Sequence, residues 1–367
     1  MSVKDDPLRP NRLARAFRPS EIVPPTSGRQ PSSIKSGWDP TSHPTARSIK
    51  YITQRVGYVA LILNACFFAF LSYWLYHNIE FAELLLRLKQ IPIYGVLIAM
   101  MINLCVLLFY ASRISALLNR SLLSCFIIAT MGFSFNSLMP FRAGEGVKIY
   151  FGHSYYDHAI SELGAVVLLE KLYDATAIIV VSLLILASSN AQIVEPRVSI
   201  AAALIVFIVF CVIFVLRRKG VVWSLPESRI AKAARLDAFF KQAWLLVAGH
   251  KVARTAAITA AIWTTNVCLV YIAFRALLPE IDFDFIHAMA ILTIGALAIA
   301  VPSSPAGLGI FEAGIVAYLV SVYGIQKEQA ISAALAYHFS ITAPHTLIIV
   351  VFLGIVLFRW LKERSIR

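Results

Sequence analysis

Two apolar stretches of this chain are broken in the same way. Asn136-Ser-Leu-Met-Pro140-Phe-Arg142-Ala-Gly144-Glu145-Gly146-Val-Lys148 and Pro302-Ser-Ser-Pro305-Ala-Gly307-Leu-Gly309-Ile-Phe-Glu312-Ala-Gly314 each pass from an apolar run through Pro, Ala-Gly, Glu and Gly into another apolar run. Backbone groups left unpaired in hydrocarbon are costly, so a broken helix at membrane depth survives only where protein covers it or where it borders a water-filled cavity. Two breaks of one design point to one shared cavity.

The hydrocarbon setting follows from composition. The chain is 59% hydrophobic and only 14% charged, with a mean hydropathy of +0.74, outside the range of a soluble globular domain. Apolar runs lie near 57–76, 91–111, 122–139, 159–188, 197–216, 254–278, 285–301, 308–323 and 341–358. They define an all-α polytopic membrane protein of about six to eight transmembrane helices plus two broken or re-entrant hairpins. A net charge of +13 could signal nucleic acid, but the basic residues fall in tails and loops between apolar runs, where membrane orientation explains them. No nucleic-acid partner is expected. The five cysteines, Cys66, Cys105, Cys125, Cys211 and Cys268, sit inside apolar runs without close metal-ligand spacing and read as core thiols. Neither a metal nor a cofactor is expected.

The chain divides at its charges. Residues 1–50 hold half of the 16 prolines and no apolar period, as in a disordered basic tail. They lack a signal peptide's apolar core, so the first run is expected to remain as a helix. One transmembrane domain, 51–360, follows, with halves at 91–216 and 254–358 joined by an amphipathic cytoplasmic linker, 217–253. A basic C-terminus, 361–367, completes the chain. Lysines and arginines of the tail, of the linker and of the C-terminus place all three in the cytoplasm, while the loops carrying Glu80 and Glu83, Glu195, and Glu280 with Asp282 and Asp284 read as external. By the same rule, run 91–111 ends inside, near Arg113 and Arg120. Segment 122–158 then begins and finishes inside, as a hairpin turning at 140–146, and 285–323 begins and finishes outside. Helix, broken hairpin and long helix thus occur twice with opposite starting sides, the pattern of an inverted repeat.

Charge within the apolar runs marks the candidate site. Arg142 and Lys148 bracket Gly144 and Gly146, and a helix starting after the break directs its positive dipole end toward the same space, which suits a lipid phosphate. The glycines are expected to supply a positive φ and close backbone approach. Snorkelling of both cations to the interface is the plainer alternative. Glu145 either neutralises Arg142 or faces a cationic headgroup. Glu170, Lys171 and Asp174 lie in an otherwise apolar helix, where ionisable groups mark function. Their spacing pairs Lys171 with Asp174 and leaves Glu170 as the unpaired charge. In the second half, Pro302, Pro305, Gly307 and Gly309 shape the break as Asn136 and Pro140 shape the first, and Glu312 sits mid-run as a headgroup or coupling residue. Tyr337 and His338 occupy a place comparable to Glu170 and Lys171, His338 reading first as a hydrogen-bonded helix contact. Walker, Gly-x-Ser-x-Gly and His-Glu-x-x-His motifs do not occur.

The segments Asn136…Pro140-Phe-Arg-Ala-Gly-Glu145, Leu169-Glu-Lys-Leu-Tyr-Asp174 and Pro305-Ala-Gly-Leu-Gly-Ile-Phe-Glu312 resemble, in order, the motif set of the transmembrane region of bacterial lysylphosphatidylglycerol synthases and the stand-alone flippase-like proteins similar to it. The resemblance covers roughly 50–360. It implies an inner-membrane domain that moves a lipid with a modified headgroup between leaflets. Glu170-Lys171 stands where the family more commonly has Glu-Arg, which keeps the charge without the planar fork. The full synthases resembled carry a soluble aminoacyl-transferase domain after the membrane region, and this chain runs to Arg367, so the expectation is transport without synthesis. Three readings follow. The first is a translocase for a phospholipid or lipid-linked glycan, with both termini cytoplasmic. The second is a glycosyltransferase-associated protein, and the third is a scaffold that recruits a separate lipid-modifying enzyme.

Overall fold

The computed structural model describes residues 80–139, 142–188, 252–300 and 304–365, together with Ala69 and Tyr73. The basic tail, the runs at 57–76 and 197–216, the amphipathic linker, Pro140 and Pro302 lie outside the described residues. From Glu80 onward the described residues belong to one compact unit.

Among them the chain forms helices α1 (Phe81–Gln90), α2 (Ile93–Leu118), α3 (Leu122–Leu138), α4 (Gly144–Tyr156), α5 (Ile160–Ala187), α6 (Val252–Leu277), α7 (Phe285–Ala300), α8 (Ile310–Tyr323) and α9 (Lys327–Ser365), with a 3₁₀ turn, Pro305–Gly307, before α8. Among the described residues four spans are long and apolar enough to cross a membrane: Ile93–Leu118, Val252–Leu277, Pro305–Tyr323 and Lys327–Phe352. The protein is an all-α polytopic membrane protein. The 17 residues of α3 and 16 of α7 reach only about 25 Å at 1.5 Å per residue, short of the ~30 Å hydrocarbon core.

Local chemistry sets the boundaries. Asn119 ends α2 in the left-handed region, φ 55°, and Ser121 opens α3 by accepting a hydrogen bond from the Ser124 N–H at 3.3 Å. Asp157 and Gly324 close α4 and α8 in the same left-handed conformation. In α9, Pro344 has no N–H to donate. Two neighbouring carbonyls there are bonded from other helices: Asn103 Nδ2 donates to Ile341 O at 2.7 Å, and Ser134 Oγ to His345 O at 2.7 Å. These bonds tie α2 and α3 to the interrupted part of α9.

The main apolar core joins α2, α5, α6, α7, α8 and α9 around Ile262, Leu269, Phe274, Ile291, Phe311 and Leu319. Helices α2 and α6 run antiparallel: a Cβ at Gly95 would lie 2.7 Å from Ala276 Cβ, while Arg113 reaches Thr259 further along. Each half repeats one order of elements: a long helix, a short helix, a break, a second short helix and a long helix.

Two expectations are corrected. The segment carrying Glu80 and Glu83 is no loop, because Phe81–Gln90 forms a helix that buries Leu84 and pairs Glu83 with Arg87 at 2.7 Å. Run 91–111 does not end before Arg113. α2 continues to Leu118, and Arg113 is 0% exposed. A charge that would stop an apolar run continues it when partners wait inside the fold.

Candidate functional site

The site starts at the first break. Arg142 adopts φ 55°, a conformation costly for any side chain with a Cβ. The positive φ thus belongs to Arg142, and not to Gly144 as expected. Gly144 is needed for contact: a Cβ there would stand 2.0 Å from Gly132 O and 2.6 Å from Asn136 N. Its approach is to α3, not to a ligand. Gly146 is exposed, with nothing within 4 Å of a Cβ placed on it.

The packing of α4 on α3 sends Lys148 inward, its Cε passing Gly132, to a cluster of charges held by four helices. Lys148 Nζ donates to Glu170 Oε2 at 2.8 Å and lies 3.6 Å from Glu145 Oε2. Lys171 Nζ pairs with Glu145 Oε1 at 2.6 Å. Arg113 forms a fork on Asp174, from Nη1 to Oδ1 at 2.7 Å and from Nη2 to Oδ2 at 3.1 Å. Its Nη2 also stands 3.6 Å from Glu170 Oε1. Thr259 at 3.3 Å and the Tyr110 ring, 4.9 Å from the guanidinium carbon, complete its surroundings, and Trp263 Nε1 donates to Asp174 Oδ1 at 3.4 Å.

The expected pairing of Lys171 with Asp174 therefore does not form. Glu170 is held by two cations, and Asp174 belongs to Arg113, which sequence reasoning had assigned to orientation. Arg142 alone is unmatched. Arg113, Arg142, Lys148 and Lys171 meet three carboxylates, leaving one positive charge over, and the Arg142 guanidinium has no hydrogen bond or ion pair among the described residues. The ion pairs of Glu145 go to Lys148 and Lys171, and among the described residues it makes none with Arg142.

Arg142 lines two adjoining spaces. The smaller, about 70 Å³, lies within the charge cluster. The larger, about 430 Å³, extends along apolar side chains that include Val106, Ile178, Leu292, Ile299 and Ile341. Asn136, Ser137 and Arg142 of the first break and Ser304, Ala306 and Gly307 of the second line this same cavity, so the two breaks share it. The Asn136 Oδ1 atom is buried there without a hydrogen bond.

The second break mirrors the first. Ala306 takes φ 56° as Arg142 takes 55°, with Gly307 at 75° and Gly309 at 93° following, a run that only glycines sustain cheaply. Pro305 begins the 3₁₀ turn. Glu312 folds back to accept the Gly309 N–H on Oε2 at 2.6 Å and binds His338 Nδ1 through Oε1. A glutamate after each break meets a basic side chain on the following long helix: Glu145 meets Lys171, and Glu312 meets His338. His338, 4% exposed, is the hydrogen-bonded helix contact that the sequence suggests, with Glu312 as its partner. Its alignment with Lys171 was the available signal.

Residues 58–359 match the family described as the lysylphosphatidylglycerol synthase TM region. The chain belongs to this family. The matched residues include both breaks and every charged residue of the cluster. Comparison with curated proteins found no match.

Proposed function

We propose that this protein is a lipid translocase of a bacterial inner membrane, in which Arg142 binds the phosphate of an anionic phospholipid or lipid-linked glycan inside the shared cavity. One observation carries the reading: in a cluster whose other charges are all paired, the one unmatched guanidinium faces an apolar-walled space of about 430 Å³. An anion supplies the missing charge, and a planar fork can hold two of its oxygens. The apolar wall accepts the first part of an acyl or prenyl chain.

The two halves support movement between leaflets. Helices α2 and α6 hold equivalent places in the repeated order and run antiparallel, as halves of opposite orientation require. In this reading the hairpin α3–α4 enters from the cytoplasm and α7–α8 from outside. Both termini lie in the cytoplasm, and rocking of one half against the other exposes Arg142 to each leaflet in turn. The role is transport of a lipid made elsewhere, with any headgroup chemistry left to a separate lipid-modifying enzyme.

The test is leaflet-resolved lipid transport in proteoliposomes, normalised to folded protein. Arg142→Ala folds and loses about 1.5–3 kcal/mol of ligand interaction, roughly ten- to hundredfold in rate. Lys148→Ala instead lowers the yield of folded protein, since it strips Glu170 of its closest partner. Wild-type transport by folded Arg142→Ala sinks the phosphate site.

A further inference from the structure

We infer that His338, held by Glu312, is a second ligand for the bound anion and takes up a proton as the anion arrives; this rests on the anion-binding reading of the cavity. The orientation of the ring follows from its partner. Glu312 Oε2 is occupied by the Gly309 N–H, and Oε1 faces Nδ1, so Nδ1 carries the hydrogen and donates to the carboxylate. Nε2 is then the free end of the ring. It is buried without a partner in a residue 4% exposed, and His338 lines the same cavity as Arg142. In the neutral ring this nitrogen offers a lone pair, which repels an anionic oxygen. One proton added there converts it to an N–H donor on an imidazolium whose charge Glu312 balances.

The parallel with the first half sharpens the point. Lys171 pairs with Glu145 as His338 pairs with Glu312, but lysine keeps its charge throughout the ordinary pH range whereas histidine gains or loses one within it. The site thus sets a lysine beside the first glutamate and a histidine beside the second. The other titratable groups lining the cavity are Tyr110 on α2, Arg142 at the first break, Lys171 and Asp174 on α5, and Tyr337 and His345 on α9; α6 and α7 contribute none. His345 is the only other group among these lining residues whose ordinary range overlaps. Its Nε2 is already engaged with Ser137 Oγ at 2.9 Å.

The experiment is calorimetric titration of the full chain in detergent with a short-chain phosphatidylglycerol, a phosphodiester that does not itself titrate between about pH 5.5 and about pH 8.5. In the wild type, affinity falls as pH rises, by up to about tenfold per unit for one linked proton. Repeating the titration in two buffers of different ionisation heat gives the proton uptake directly. His338→Gln flattens the pH dependence and abolishes uptake, and His345→Gln retains both. Absence of uptake in the wild type, or a wild-type slope in folded His338→Gln, overturns the assignment. If His338→Gln does not fold, His345→Gln decides: uptake lost with it overturns the proposal, and uptake kept supports it. Arg142→Ala separates this idea from the one beneath it. Undiminished affinity in Arg142→Ala defeats the anion site itself, whereas weak binding at every pH beside an unaltered slope in His338→Gln defeats only the role of His338.

Discussion

Arg113 shows what a single buried guanidinium can organise. Its fork on Asp174 and its approach to Glu170 connect α2 to α5, and its bond to Thr259 adds α6. Removing it leaves Asp174 without its closest cation inside the fold. Arg113→Ala is expected to cost about 3–5 kcal/mol of stability, read as a large drop in the thermal midpoint in detergent. Arg113→Lys recovers little, because an ammonium cannot reproduce the fork. Asp174→Asn on the Arg113→Ala background recovers part of the loss, and no recovery would show that Arg113 acts through packing alone. The sequence made Glu170, Lys171 and Asp174 conspicuous but not their partners. Helical spacing reveals neighbours on one helix, whereas Arg113 and Asp174 lie 61 positions apart. Arg113 was further hidden by its place at the end of an apolar run, where a positive charge ordinarily reports orientation.

At the scale of elements, the hairpin α3–α4 depends on one glycine and is indifferent to another. Gly144→Ala brings a methyl group to 2.0 Å from Gly132 O, a backbone atom that cannot turn aside, so α4 must move off α3 and carry Lys148 away from Glu170. Gly146→Ala meets nothing within 4 Å. The expected outcome is poor folding or lost transport for the first and near wild-type behaviour for the second; equal tolerance of both would mean that α3 and α4 do not pack as described. Both breaks were legible in the sequence because Pro and Gly interrupt apolar runs for a backbone reason. Which residue takes the left-handed conformation was not. Arg142 and Ala306 take it while Gly144 is spent on contact, a choice settled by how the flanking helices meet. Helix α1 escaped notice because ten residues bearing Glu83, Arg87 and Lys89 are too short and too charged to read as a membrane element.

For the whole molecule, the arrangement of ends carries the mechanism. One end gathers α1, the 278–284 loop and the start of α9, where Arg87 Nη2 donates to Gln326 Oε1 at 2.6 Å and Gln329 bonds Glu280. The opposite end of α2 holds Asn119 and Arg120. Alternating access through inverted halves requires the first end to be external, the second cytoplasmic, and the turn between α3 and α4 to stay within the membrane domain although Ala143 is exposed to the space around the protein. Single cysteines report this. With an impermeant maleimide added to intact cells, Asp282→Cys is expected to label readily, Arg120→Cys only after permeabilisation, and Ala143→Cys to stay unlabelled from outside. Labelling of Ala143→Cys from outside as strong as that of Asp282→Cys would make α3–α4 a pair of crossings. The halves would then not be inverted, and Arg142 would sit at a surface instead of in a shared cavity.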